Sequence, residues 1–194
     1  DVLGSRGLGD VYKRQNTNSP EDPGTLIVES TCHKPDHVIT GIAGKTGFAT
    51  VMIEKDMMNS EIGFGRKVLQ VFEEHGLSFE HMPSGIDTMT IIVNSDDFIE
   101  KEQAILAGLH RAVQPDYIVL ESDLALIAVV GRGMKDSRGT SARVFKALAK
   151  ENINVKMIDQ GSSELNIIVG VRNCYFKPAI KAIYDEFITS EDDE

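Results

Sequence analysis

Residues 48–93 read FATVMIEKDMMNSEIGFGRKVLQVFEEHGLSFEHMPSGIDTMTIIV, and residues 124–169 read LALIAVVGRGMKDSRGTSARVFKALAKENINVKMIDQGSSELNIIV. The second stretch is the first displaced by 76 positions, without a gap. Identical pairs are Ala49/Ala125, Met58/Met134, Gly63/Gly139, Val68/Val144, Gly85/Gly161, Ile91/Ile167, Ile92/Ile168 and Val93/Val169. Conservative pairs lie between them, among them Val51/Ile127, Lys67/Arg143, Phe72/Leu148 and Phe79/Val155. The matches fall on apolar and glycine positions, which hold a fold. The polar positions differ, and those set what each copy binds. Two copies are too few for a solenoid, so the pattern gives a tandem pair of small domains.

Each copy has a readable order of elements. Phe48–Ile53 is a short apolar, β-branched run, a strand. After Gly63-Phe64-Gly65, Val68, Leu69, Val71 and Phe72 form one face of a helix, with Arg66, Lys67, Gln70, Glu73 and Glu74 opposite. Gly76 ends it, where a left-handed residue is easily accommodated. Leu77–Met82 alternates as a half-buried strand, Pro83-Ser84-Gly85 breaks it, and Thr88–Val93 is the next strand. A second helix places Phe98, Ile105, Leu106, Leu109 and Val113 on one side, Pro115-Asp116 stops it, and Tyr117–Leu120 is a last strand. The order β-α-β-β-α-β is the ferredoxin-like unit, an α+β fold.

The second copy repeats this with strands at Leu124–Val130, Ile153–Ile158 and Leu165–Val171, and helices around Ala142–Ala149 and Pro178–Phe187. It runs out before a sixth element, because residues 189–194 are a short acidic tail. His37–Ala43 is a strand-like run that the first unit does not need. The expectation is that it completes the second unit, so that a first domain, residues 48–121, is inserted into a second, residues 37–47 plus 122–188. Residues 1–15 end in Val11-Tyr12-Lys13-Arg14-Gln15, which resembles a translated sequencing-adapter fragment, and are set aside as non-native. Residues 16–36 open with the polar, proline-bearing Asn16–Gly24 and read as a linker.

Bulk properties narrow the function classes. The net charge of −10 argues against sequence-independent nucleic-acid binding, which needs clustered Lys and Arg. No aromatic-rich strand resembles an RNA-binding signature. No apolar run reaches the ~20 residues needed to span a bilayer. Cys32 and Cys174 do not make a disulfide framework, so a reduced cytoplasm is the expected setting.

Several motifs reduce to structure. Gly41-Ile42-Ala43-Gly44-Lys45-Thr46 lacks the earlier glycine of a phosphate loop, since Ile39 stands there, and reads as a loop after a strand. Gly131-Arg132-Gly133 has Asp136 where a dinucleotide fingerprint has its third glycine, and reads as a turn. Cys32, His33 and His37 lack a fourth ligand at zinc spacing, so no metal site is expected.

One constellation carries chemistry. Gly63 and Phe64 open a helix, whose free N–H groups and dipole suit a carboxylate. Met57, Met58 and Ser60 lie just before it, and Ser78-Phe79-Glu80 lies on the next strand, where Glu80 suits an ammonium. A helix N-terminus and a carboxylate a few ångströms apart make an α-amino-acid clamp. On spacing alone, a solvated Glu80 and turn-shaping glycines are the preferred reading.

These residues resemble a family. Gln160-Gly161-Ser162-Ser163-Glu164-Leu165-Asn166-Ile167 is similar to the signature of the second ACT domain of aspartate kinases. Val130-Gly131-Arg132-Gly133-Met134, followed by Ala142-Arg143-Val144-Phe145, is similar as well. Pro23-Gly24-Thr25-Leu26-Ile27 resembles the linker after the family's kinase domain. The resemblance covers about residues 16–188 and implies a feedback-regulatory region. The parent enzyme would use ATP with magnesium to phosphorylate the aspartate side chain, opening lysine, threonine and methionine biosynthesis. The family's catalytic domain, with its Lys-Phe-Gly-Gly start, is absent here, so no catalytic residue, cofactor or activity is expected of this stretch alone. In the lysine-inhibited branch the effector pattern matches Met57 or Met58, Ser60, Gly63 and Phe64. Its Ser-hydrophobic-Asp strand matches Ser78, Phe79 and Glu80, with Glu one methylene longer than Asp. The implied partners are lysine or threonine as effector, a second copy in a homodimer, and the kinase domain. A stand-alone amino-acid-binding ACT protein is the alternative.

Overall fold

The computed structural model describes residues 12–15, 17–27 and 37–188. Residues 1–35 and 36–194 form separate compact units. In the first, β1 (Tyr12–Arg14) pairs antiparallel with β2 (Thr25–Ile27), Tyr12 opposite Ile27. The adapter-like end therefore contributes a strand. Cys32, His33 and the acidic tail lie outside the described residues.

The larger unit is built on two 14-residue strands, β3 (Gly41–Glu54) and β5 (Tyr117–Val130), paired antiparallel. The early half of β3 meets the end of β5, with Gly41 opposite Val130 and Lys45 opposite Leu126; the late half meets its start, with Thr50 opposite Glu121 and Glu54 opposite Tyr117. Runs that the sequence divides into separate strands are thus continuous. Continuity survives because both strands carry a left-handed residue at the same repeat position, Gly47 (φ 88°) and Asp123 (φ 74°). The register slips there, between Lys45 and Phe48 and again before Thr50. A bulge of this kind adds a residue and bends a strand without ending it. The Gly41–Thr46 motif lies in β3, not in a loop.

Strand β4 (Thr88–Asn94) flanks the late half of β3, and β7 (Asn166–Arg172) flanks the late half of β5. Outside β7 lies β6 (Met157–Asp159), giving the five-stranded order β4-β3-β5-β7-β6. On the first half-sheet pack α1 (Phe64–Glu74) and α3 (Glu102–Val113), with short α2 (Ser95–Ile99) before α3. On the second pack α4 (Thr140–Lys150) and α5 (Phe176–Ile188). The fold is α+β: two ferredoxin-like units, the first inserted into the second, whose last strand is the early half of β3.

Side-chain alternation sorts the apolar residues into three clusters. Ala49, Val51 and Ile53 meet Val68, Phe72 and Leu109 beneath α1 and α3. Ala125, Ile127 and Val129 meet Val144, Leu148 and Phe187 beneath α4 and α5. Each fully buried large side chain contributes roughly 1.5–3 kcal/mol relative to exposure. Phe48 and Ile92 point away from the helices and pack with Leu124, Leu126 and Met157 of the second unit. The helix-free faces of the two units therefore close on one another.

Three expected elements differ. Leu77–Met82 is extended but not a regular strand: it meets β4 through isolated bridges, His81 to Ile92 and, past Pro83, Ser84 to Met89, with Glu80 N–H donating to Ile92 O. Pro83 has no N–H to continue a ladder, although its carbonyl accepts from Thr90. Of Ile153–Ile158 only the end enters β6; Asn152 is left-handed (φ 53°) and Ile153 N–H still caps α4 through Leu148 O. The expected helix through Phe98–Val113 is broken between Ile99 and Glu102. Asn94 caps its short first part, accepting from Asp96 N–H at 3.0 Å.

Candidate ligand site

The loop from Lys55 to Gly63 joins β3 to α1. Its backbone is fixed to the turn before β4: Lys55 N–H donates to Asp87 O at 2.9 Å and Asn59 N–H to Ile86 O at 3.1 Å. Met57 is left-handed and well exposed, and the Ser60 hydroxyl donates to Met57 O at 2.7 Å. Gly63 is left-handed (φ 80°) and precedes α1, which no side chain caps. Phe64 N–H is taken by Glu61 O at 3.2 Å, which leaves the N–H groups of Gly65 and Arg66 to an anion. Met58 and Phe64 are buried in the first core, so at these positions only backbone can meet a ligand.

Charge gathers at the same helix end. Glu61 accepts from Lys55 and from Lys67, each at 2.6 Å. Lys55 also donates to Val113 O at 2.7 Å and lies 5.8 Å from the centre of the Phe64 ring. The hydrogen bond from Lys55, then that from Lys67, holds the Glu61 carboxyl below its ordinary value. Two cations thus bracket one anion close to the positive end of the helix dipole.

Ser78, Phe79 and Glu80 are exposed on the edge segment beyond β4. Among the described residues, none pairs with the Glu80 carboxylate. Within one chain the loop and the Glu80 segment are tied at different levels of β4. Glu80 lies level with Ile92, whereas the loop is tied beside Asp87 at the start of β4. The four residue steps from Thr88 to Ile92 are roughly 13 Å of strand.

Known proteins resemble this chain in sequence and fold. Residues 127–187 match the ACT domain family. Aspartokinase 3 of Bacillus subtilis is 43% identical over 174 residues, which are 89% of this chain and 38% of that protein. The crystal structure of Clostridium acetobutylicum aspartate kinase superposes with a TM-score of 0.87 at 45% identity, over 91% of this chain and 41% of that one. The chain is thus similar to the ACT-bearing part of aspartate kinases. E. coli aspartokinase III, solved in complex with lysine and aspartate, shares the fold at a TM-score of 0.69 and 20% identity, over 87% of this chain and 38% of that one. The chain spans about two fifths of the length of the kinases it matches.

The two ACT units are not equivalent as sites. The displacement of 76 places Gly133 opposite Met57, Asp136 opposite Ser60 and Lys156 opposite Glu80. A lysine cannot seat an ammonium, and Lys156 pairs with Glu121 at 2.8 Å. The second loop is also crowded. A Cβ on Gly131 would lie 2.3 Å from Val38 O, and one on Gly133 2.4 Å from His37 O. Lys55 and Glu61 escaped the sequence reading. Their signal was the same displacement, which puts Gly131 and Ser137 opposite them, so the charge occurs in one copy only.

Among the described residues no helix is long and apolar enough to cross a membrane. No group of three or more His, Cys, Asp or Glu among them could hold a metal ion.

Proposed function

We propose that this chain is the feedback-regulatory part of an aspartate kinase and binds an effector amino acid, lysine, at the first ACT unit. The first domain is residues 48–121; the second is 37–47 with 122–188. The parent enzyme transfers the γ-phosphoryl group of ATP, bound with magnesium, to the side-chain carboxylate of aspartate, using the kinase domain outside this chain. The carrying observation is the near-full-length match to kinases of which the chain spans only part.

Within the first unit, the effector carboxylate takes the uncapped start of α1 that Gly63 and Phe64 open, and the Ser60 hydroxyl turns from Met57 O to donate to it. Met57 lies over the aliphatic chain, Met58 supports it from the core, and Ser78, Phe79 and Glu80 receive the amino end. The edge carrying Glu80 has no neighbour among the described residues, and an open edge invites another strand. Two first-unit edges meeting across a two-fold axis would form a homodimer. One copy would then supply the helix start and its partner the carboxylate. Ligand at that seam couples to the kinase domain by favouring one dimer arrangement, with ~1–3 kcal/mol typical of such control.

Calorimetric titration with L-lysine and L-threonine tests the assignment. Saturable lysine binding, weakened at least about tenfold (~1.4 kcal/mol) in Glu80→Ala, is expected. Threonine binding without lysine binding overturns the effector. An unaltered lysine affinity in Glu80→Ala overturns the site.

A further inference from the structure

A cavity of about 540 Å³ opens on the helix-free side of the first half-sheet. Thr50 and Met52 of β3 and Thr90 and Ile92 of β4 line it on the first unit, and Val155–Ile158 line it on the second. Its size falls in the range of small-molecule sites, roughly 300–1,000 Å³. It is separate from the Lys55–Gly63 loop, none of whose residues lines it.

Its chemistry is specific. Glu121 and Lys156 are the charged groups among the described residues that line it, one of each sign, with Nζ 2.8 Å from Oε2. Their side chains are 49% and 29% exposed, and an ion pair so open to water is held weakly. The threonine hydroxyls add hydrogen-bonding groups, while Met52, Ile92 and Met157 give an apolar end. The displacement of 76 carries Glu121 onto Lys45 and Lys156 onto Glu80, the same pair with its charges exchanged. There the pair is not made: Lys45 Nζ lies 5.7 Å from the centre of the Phe48 ring instead. The charged cavity therefore belongs to one side of the pseudo-symmetric fold.

We propose that this cavity is a second ligand site, for a small zwitterion with an uncharged, largely apolar side chain. Its ammonium takes Glu121 and its carboxylate takes Lys156, so that one direct ion pair becomes two. With both charges spent on the backbone groups, no lining residue is left to receive a cationic side chain, which separates this site from a lysine site. Because its walls come from both units, the occupant fixes the first unit against the second. The site does not depend on the lysine assignment.

Methionine methyl groups report on it directly. The chain has seven methionines: Met52 and Met157 line this cavity, whereas Met57 and Met58 are on the first-unit loop. In the methyl-labelled chain, unlabelled L-methionine is expected to shift Met52 and Met157 saturably and to leave Met57 and Met58 in place. Affinity should fall at least about tenfold, ~1.4 kcal/mol, for 3-(methylthio)propylamine and for 4-(methylthio)butanoate, each of which lacks one charge. Lys156→Gln and Glu121→Gln should weaken L-methionine similarly. Stationary Met52 and Met157 signals up to the solubility limit overturn the site, as do analogues that bind as well as the amino acid. If L-lysine fails to move Met57 and Met58 while L-methionine moves Met52 and Met157, the lysine assignment falls and this one stands.

Discussion

Glu61 carries an acid-side dependence of stability that no apolar residue can supply. Its folded-state carboxyl titrates below its ordinary value because Lys55 and Lys67 hydrogen-bond the charged form. The stability it contributes is therefore complete above the unfolded value, near 4.5, and is lost as pH falls through the lowered folded value. Thermal melts between pH 6 and 3 should show a steeper acid-side decline for the unaltered chain than for Glu61→Gln, and added salt should narrow the gap. Equal slopes would show that the two lysines do not hold the carboxylate in solution. Residues of this kind were hard to see in sequence, because a charge is legible only when its partner is known. Ser60 and Gly63 were legible from the turn they make. Met58 and Phe64 were read as ligand contacts, yet an apolar residue beside a glycine turn looks the same whether it faces a ligand or the core.

At the scale of elements, the bulges at Gly47 and Asp123 decide the architecture. Both have left-handed backbone, which glycine adopts freely and aspartate tolerates. Asp123→Gly should leave stability equal or slightly raised. Asp123→Val should lower it by about 1–2 kcal/mol, since a β-branched side chain resists that conformation. Denaturant titration measures both; a Val variant as stable as the aspartate form would remove the bulge from this account. The order of strands and helices was legible because apolar periodicity survives in each copy. The fusion into two long strands was not. Gly47 reads as a break when only sequence is in view, and Asp123 carries no strand signal at all. The edge segment at 77–84 alternates like a strand, but alternation does not report whether Pro83 leaves a ladder to join.

At the scale of the whole molecule, the first unit presents an edge with nothing beyond it among the described residues, and in the proposed site that edge is the half holding Glu80. Sedimentation should give a dimer whose dissociation is weakened by L-lysine, with Glu80→Ala blunting the lysine effect. A monomer at all concentrations, with and without lysine, would exclude the seam. The insertion of one unit into the other was legible from a single deficit: the second copy runs out of chain before its sixth element, and His37–Ala43 has no other use. The closing of the helix-free faces was not, because Phe48, Ile92 and Leu126 read as ordinary strand residues until the bulges turn them toward one another.

The shared strands also impose an order of manufacture. Thr40 and Val130, hydrogen-bonded at the end of the β3–β5 ladder, are 90 positions apart. On the ribosome the early half of β3 appears first and waits, unpaired, while the whole of the first unit is made between it and its partner. The first unit can close in that interval, since domains generally fold as they emerge. The second is complete only when α5 arrives, so the pair of units finishes from the inside outward, with the early half of β3 among the last strands to find its place.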